Sequence, residues 1–168
     1  MNPAFILRAA KPEEASLLSH LAMRSKAHWG YSTEFMQACQ EELSVTPEEI
    51  RNQGFTYVVA ETAGTEPSQQ IIGFYTLERL TSAQFELDAM FVDPLYMGQG
   101  VGRALIGHAK HQVTTQGGNT LLIQSDPYAK GFYQAAGAEF LEWRESASIP
   151  GRFLPVLQIN LSERSDRE

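Results

Sequence analysis

The stretch Tyr96-Met97-Gly98-Gln99-Gly100-Val101-Gly102-Arg103-Ala104-Leu105, YMGQGVGRAL, places three glycines at alternate positions. Before it, Phe85 to Val92 reads as a strand; after it, Val101, Leu105, Ala109 and Val113 share one face of a helix that runs to Thr115. Glycines let main-chain amides come close to a ligand, and amides that open a helix point at one spot with a favourable dipole. The stretch therefore predicts an anion site with a phosphate as its natural occupant. The competing reading is a ligand-free tight turn, which needs fewer glycines than three in five residues.

Two phosphate-binding patterns fit poorly. A nucleoside triphosphatase loop closes on Gly-Lys-Ser/Thr, whereas Gly102 is followed by Arg103-Ala104. A dinucleotide fold wants Gly-x-Gly-x-x-Gly in an early strand-turn-helix unit, whereas this Gly-x-Gly-x-Gly lies past mid-chain.

Working outward, Ala4 to Arg8 reads as a first strand. Pro12-Glu13-Glu14 then offers a proline and two acids at the start of a helix carrying Leu17, Leu18, Leu21 and Ala22, which stops near Trp29-Gly30. Thr33 is placed to cap a second helix through about Leu43, and Thr46-Pro47-Glu48-Glu49 opens a short third. Phe55 to Glu61 and Ile71 to Glu78 form a strand pair around the turn-like AGTEPSQQ. Past the glycines come a strand over Thr120 to Gln124, a helix over Pro127 to Ala136, and strands over Glu139 to Arg144 and Phe153 to Leu161. The helix between the Phe85 and Thr120 strands implies a parallel crossover, and the short connections imply antiparallel pairs. The tail SERSDRE reads as frayed surface.

The chain has 168 residues, 43% of them hydrophobic and 20% charged, which suits one domain over residues 1–168 with a core of its own. A formal net charge of -7 with scattered Lys and Arg argues against nucleic-acid binding and makes cationic or neutral small molecules the easier partners. A single cysteine, Cys39, lies in the amphipathic EFMQACQEEL and reads as packing. No run approaches a membrane span, and with no signal-peptide core the expectation is a cytoplasmic protein without membrane association. His108 and His111 sit three apart on the glycine-loop helix with no third ligand evident, so no metal is expected.

The segment FELDAMFVDPLYMGQGVGRALIGHA resembles the acyl-CoA-binding core of the GNAT superfamily of N-acetyltransferases. The family's Arg/Gln-x-x-Gly-x-Gly/Ala is matched by Met97-Gly98-Gln99-Gly100-Val101-Gly102, with Met97 where Arg or Gln is usual. A second segment, SDPYAKGFYQAAGAEF, matches the family's Asn-x-x-Ala-x-x-Phe-Tyr-x-x-x-Gly through Asp126, Ala129, Phe132, Tyr133 and Gly137, with Asp126 in place of Asn. The two together cover about a third of the chain.

The resemblance implies an α/β GNAT acyl-CoA N-acyltransferase fold: a mixed, mostly antiparallel sheet of about seven strands flanked by helices. It implies acetyl-CoA as co-substrate, bound through the loop from Met97 to Gly102 with help from Arg103, through the main chain of Met90, Phe91 and Val92, and beside Asp126 and Tyr133. Glu86 stands where several family members keep a base, with Asp88 on the same strand face as the second candidate; the plainer reading is two solvated carboxylates. Tyr133 matches the tyrosine that protonates the departing thiolate, against a plain core tyrosine. Trp29 and Tyr31 fall in a region that borders the acceptor site, where they wall a pocket or staple two helices. Arg152, after Pro150-Gly151, is placed to meet an acidic group of an acceptor.

The function expected is acetyl transfer from acetyl-CoA to a primary amine of a small metabolite. Protein or peptide amines, and a nonenzymatic acyl-CoA-binding regulatory module, are the alternatives. The resemblance is also compatible with a homodimer.

Overall fold

A computed structural model describes residues 4–63 and 69–161. The middle of the AGTEPSQQ turn and the SERSDRE tail lie outside the described residues. The elements are β1 (Phe5–Ala9), α1 (Ala15–Ala27), α2 (Thr33–Leu43), α3 (Pro47–Arg51), β2 (Phe55–Thr62), β3 (Ile71–Arg79), β4 (Gln84–Val92), α4 (Val101–Thr115), β5 (Thr120–Gln124), α5 (Lys130–Ala135), β6 (Glu139–Glu145) and β7 (Phe153–Asn160). Short 3-10 turns at Pro12–Glu14, Pro94–Tyr96 and Pro127–Ala129 lead into later elements. The strands form one mixed sheet, ordered β1-β2-β3-β4-β5-β7-β6, and helices flank it. The described residues group into two compact units, one up to Thr76 plus Ala89–Leu105, the other Leu77–Asp88 plus Ile106 onward.

In the first unit, β1 runs antiparallel to β2. Leu18, Leu21 and Ala22 of α1 bury against Tyr57 and Val59 of β2 and Phe74 of β3, the helical spacing of the apolar residues choosing the face that is removed from water. Cys39 is buried, as packing requires. The second helix is capped one residue earlier than the sequence suggests: Ser32 takes the amide of Phe35 at 3.1 Å, and Thr33 is already helical. Either hydroxyl can cap, and the extended backbone at Ser32 decides between them. Thr46 and Glu49 form the expected reciprocal capping box of α3. On β3, a Cβ at Gly73 would stand 3.0 Å from the carbonyl oxygen of Phe91 and 3.2 Å from the side chains of Val101 and Leu105. Only a glycine lets the start of α4 lie this close to the strand.

In the second unit, β5 pairs in parallel with β4, Gln84–Leu87 against Thr120–Ile123, the geometry that a helical crossover produces. The last strand, β7, inserts between β5 and β6 and is antiparallel to both. Between Phe140 and Glu142 the β6–β7 register slips by one residue, leaving Leu141 as a bulge. On α4, Ala109 and Val113 are fully buried, continuing the face begun by Val101 and Leu105.

Candidate functional site

The glycine loop hangs from a braced turn. Where β4 ends, the Asp93 amide donates to the Ile72 carbonyl at 2.8 Å. Its carboxylate accepts the Leu95 amide at 3.0 Å and pairs with Arg24 of α1 at 3.0 Å. After Met97, whose backbone is extended, Gly98 and Gly100 take φ of 77° and 90°. Side chains with a Cβ rarely adopt that conformation, so the alternating glycines are a backbone requirement here. The Gln99 side-chain amide donates to the Leu95 carbonyl at 3.2 Å and folds the loop on itself.

Within α4 the Ala104 amide donates to the Gly100 carbonyl at 3.1 Å. Gly100 is therefore the residue before the first helical one, and the amides of Val101, Gly102 and Arg103 have no intrahelical carbonyl to bond. Val101 is buried and anchors this end, while Gly98, Gly100 and Arg103 are exposed. The result is a set of amide donors at the positive end of a 15-residue helix, with a guanidinium at its third position and no acidic side chain from Met97 to Arg103.

Elsewhere in this unit, Met90 and Val92 are half-buried, and the Phe91 ring packs 5.8 Å from that of Phe74 on the core cluster. Between α1 and α2, Tyr31 stacks on Phe35 at 4.1 Å, and the Lys26 ammonium stands 5.4 Å from the Tyr31 ring. Trp29 meets His28 edge-on and is 39% exposed. Tyr31 thus belongs to a stack that ties the two helices, whereas Trp29 presents ring surface to its surroundings.

The second unit carries the residues considered for proton transfer. Glu86 is half-buried on β4, opposite Leu122 of β5. Burial is the main effect and holds its carboxyl above the usual range; Arg144 pulls it back and Glu78 pushes further up. Asp88 is exposed. Asp126 closes the turn into α5 by accepting the Tyr128 amide at 3.0 Å, and its other oxygen stands 3.6 Å from the Arg152 guanidinium. The Ser125 amide donates to the Pro155 carbonyl at 2.9 Å and ties the same turn to β7.

Tyr133 is buried on α5, edge-on to Phe132 at 5.2 Å. Burial first, and the charge of Asp126 second, push its phenol well above the ordinary tyrosine value. The ring keeps its proton at any physiological pH. His108 on α4 is half-buried and shifted the other way, lowered by burial and by His111.

The residues expected from sequence fall into two sets: Met90 to Val92, Met97 to Arg103, Trp29 and Tyr31 in the first unit, and Glu86, Asp88, Asp126 and Tyr133 in the second. The Asp126–Arg152 pair is what sequence reasoning missed. Arg152, expected to meet an acidic group of an acceptor, has its guanidinium 3.6 Å from the carboxylate of Asp126. Nothing local signals this, because the partners come from different elements far apart in sequence.

With the geometry in hand, the chain can be set beside known proteins. The family model described as an acetyltransferase (GNAT) domain matches residues 23–145, well over half of the sequence. The chain belongs to the GNAT acetyltransferase family. No curated protein matches it by sequence.

Among solved structures, this GNAT chain is similar to the PaiA N-acetyltransferase of Thermoplasma acidophilum in complex with coenzyme A: 19% identity, 94% of this chain and 99% of that one covered, TM-score 0.74. It is similar to the ribosomal-protein-S18-alanine N-acetyltransferase of Escherichia coli at 18% identity, 94% of each chain and a TM-score of 0.67. An aminoglycoside 6'-N-acetyltransferase complexed with coenzyme A gives 16% identity, 93% and 97% coverage, and 0.66. At these identities the likeness establishes the GNAT fold. The glycine loop, β4 and α5 lie inside the matched span, whereas Arg152 and β7 lie beyond it.

Proposed function

We propose that this protein is an N-acetyltransferase that moves the acetyl group of acetyl-CoA to a primary amine of a small metabolite. The observation that carries the reading is the start of α4, where Gly98 and Gly100 at positive φ lead into three amides with no intrahelical acceptor. Such a set of donors fits a diphosphate, and the Arg103 guanidinium adds a cation where an unpartnered helix start would favour an acid. Acetyl-CoA supplies a thioester as the acyl donor.

In this reading the main chain of Met90 to Val92 lies along the pantetheine arm. The amine nitrogen forms a bond to the acetyl carbon as the carbon–sulfur bond breaks. Glu86 takes the proton that the amine loses, with Asp88 as the second candidate, and the Tyr133 phenol gives a proton to the departing sulfur. A carboxyl raised by burial accepts that proton more readily than an ordinary one. A buried, protonated phenol is the complementary donor. The acidic character of the chain and the two carboxylates on β4 favour a cationic amine over an acidic one, and Trp29 supplies an apolar surface at the acceptor side.

Coenzyme A binding tests the loop. At a ligand concentration about 100 times its dissociation constant, native-state binding stabilises by about 2.7 kcal/mol, so coenzyme A is expected to raise Tm clearly. Gly102→Val puts a branched side chain among the amide donors without needing positive φ, and is expected to abolish most of that rise while the unliganded protein still folds. An equal rise in both proteins, or none in the wild type, removes the basis of the reading.

A further inference from the structure

The loop between β6 and β7 is tied onto itself around Arg152. The buried Ser146 hydroxyl accepts the amides of Ser148 and Ile149 at 3.2 Å each. The Ser146 amide donates to the Arg152 carbonyl at 2.7 Å, and the Arg152 amide donates to the Ile149 carbonyl at 3.2 Å. Gly151 turns at φ 82°, with its amide on the Glu145 carboxylate at 2.9 Å. A backbone held in this way leaves the Arg152 side chain less freedom to lose when its guanidinium settles in one place. That place is 3.6 Å from the Asp126 carboxylate, with both side chains largely out of solvent, at 18% and 15% exposure. A pair so withdrawn adds little to stability, because desolvation offsets the attraction. What it sets is the charge its surroundings feel.

The surroundings include Tyr133. Asp126 opens the helical turn that runs through Ala129 into α5, and Tyr133 follows seven residues later. Seven residues are about two turns, so the two positions share a face, and helical side chains lean toward the N-terminal end. The Tyr133 ring therefore reaches back toward Asp126, and the carboxylate charge acts on its phenol. The two oxygens of Asp126 divide their work: Oδ1 accepts the Tyr128 amide and shapes the turn, while Oδ2 faces Arg152.

We propose that Arg152 is a positioning residue for acetyl transfer, which counters the charge of Asp126 so that the Tyr133 phenol can release its proton to the departing sulfur. The inference rests on the acetyltransferase reading above. In that step the carbon–sulfur bond breaks with its electron pair on sulfur, sulfur takes the phenol proton, and a phenolate is left behind. Phenolate and departing thiolate are both negative, and a bare carboxylate nearby opposes each. A carboxylate with a guanidinium against it presents a dipole, whose field falls off faster than that of a single charge. Arg152 acts through Asp126 and needs no contact with the acyl donor or the acceptor.

The test compares wild type, Arg152→Met, Asp126→Asn and Asp126→Asn/Arg152→Met, each checked for folding by far-UV circular dichroism. Failure of the wild type to acetylate any of a panel of polyamines, aminoglycosides, amino acids and peptides overturns the acetyltransferase reading and this inference with it. In an active wild type, Arg152→Met is expected to lower kcat about 10-fold, the effect of a unit charge about 10 Å away in a protein interior, while the Kd for coenzyme A moves by no more than about twofold. Asn keeps an oxygen for the Tyr128 amide and removes the charge. The double variant should therefore turn over within about twofold of Asp126→Asn, and in a Tyr133→Phe background Arg152→Met should likewise cost no more than about twofold. An unchanged kcat in Arg152→Met overturns the proposal while leaving the acetyltransferase reading in place. So does a loss of the same size with Asn at 126, which marks a brace of the turn, or with Phe at 133. Should Arg152→Met fail to fold, the comparison of the double variant with Asp126→Asn still decides, equal rates supporting the proposal and a 10-fold or larger loss overturning it.

Discussion

Tyr133→Phe is expected to lower kcat by roughly 10²-fold or more while the dissociation constant for coenzyme A moves by no more than about twofold. The substitution keeps the ring, its burial and its edge contact with Phe132, and removes one proton. In the wild type, burial and the nearby Asp126 charge hold that proton on the phenol. The ring is therefore a donor at every working pH, and its loss cannot be offset by changing pH. Paired measurement of binding and turnover separates the roles. Equal losses in affinity and rate would make Tyr133 a binding residue, and an unchanged kcat would reject proton donation.

Glu86→Gln is expected to cost roughly 10²-fold or more in rate at neutral pH if the carboxylate takes the amine proton, and to recover as pH rises because the acceptor then arrives uncharged. In the wild type the rate should climb with pH through the raised Glu86 value, and the Gln variant should lack that limb. Stability should move the other way. A carboxyl whose folded value lies above its unfolded value binds its proton more tightly in the native state, so its cost to stability grows as pH rises past the unfolded value and is complete above the folded one. Gln removes that cost. The variant should therefore melt no lower than the wild type, with solvent keeping the gain small at this half-exposed position. Arg144 and Glu78 bear on the same carboxyl in opposite senses, so substitutions at either should shift the limb in opposite directions. A rate loss that is the same at every pH would indicate positioning by Glu86, and no loss would move the role to Asp88 or water.

Local patterns carried most of the element order. The period of Val101, Leu105, Ala109 and Val113 gave the buried face of α4, Thr46 with Glu49 gave the capping box of α3, and the helix between β4 and β5 implied their parallel pairing. Each is decided within a few residues or by one connection. What was not legible depends on distant parts of the chain meeting. No spacing says that β7 inserts between β5 and β6, because strand order depends on which edges are free when the strand arrives. The bulge at Leu141 and the pairing of Asp126 with Arg152 follow from that insertion. At the site, the glycine segment was readable because positive φ and close approach demand a residue type. Glu86 and Tyr133 are candidates only through resemblance, since a lone carboxylate or phenol carries no local signature.

Acetyl transfer to an amine is the activity proposed for this protein. Its most direct test is incubation of the purified chain with acetyl-CoA and a panel of polyamines, aminoglycosides, amino acids and peptides, reading free thiol release and acceptor mass together. Enzyme-dependent thiol release matched mole for mole by acetylated amine is expected, with a small cationic amine as the best acceptor. Coenzyme A binding without acetylation of any amine, or thiol release with no acetylated product, would contradict it.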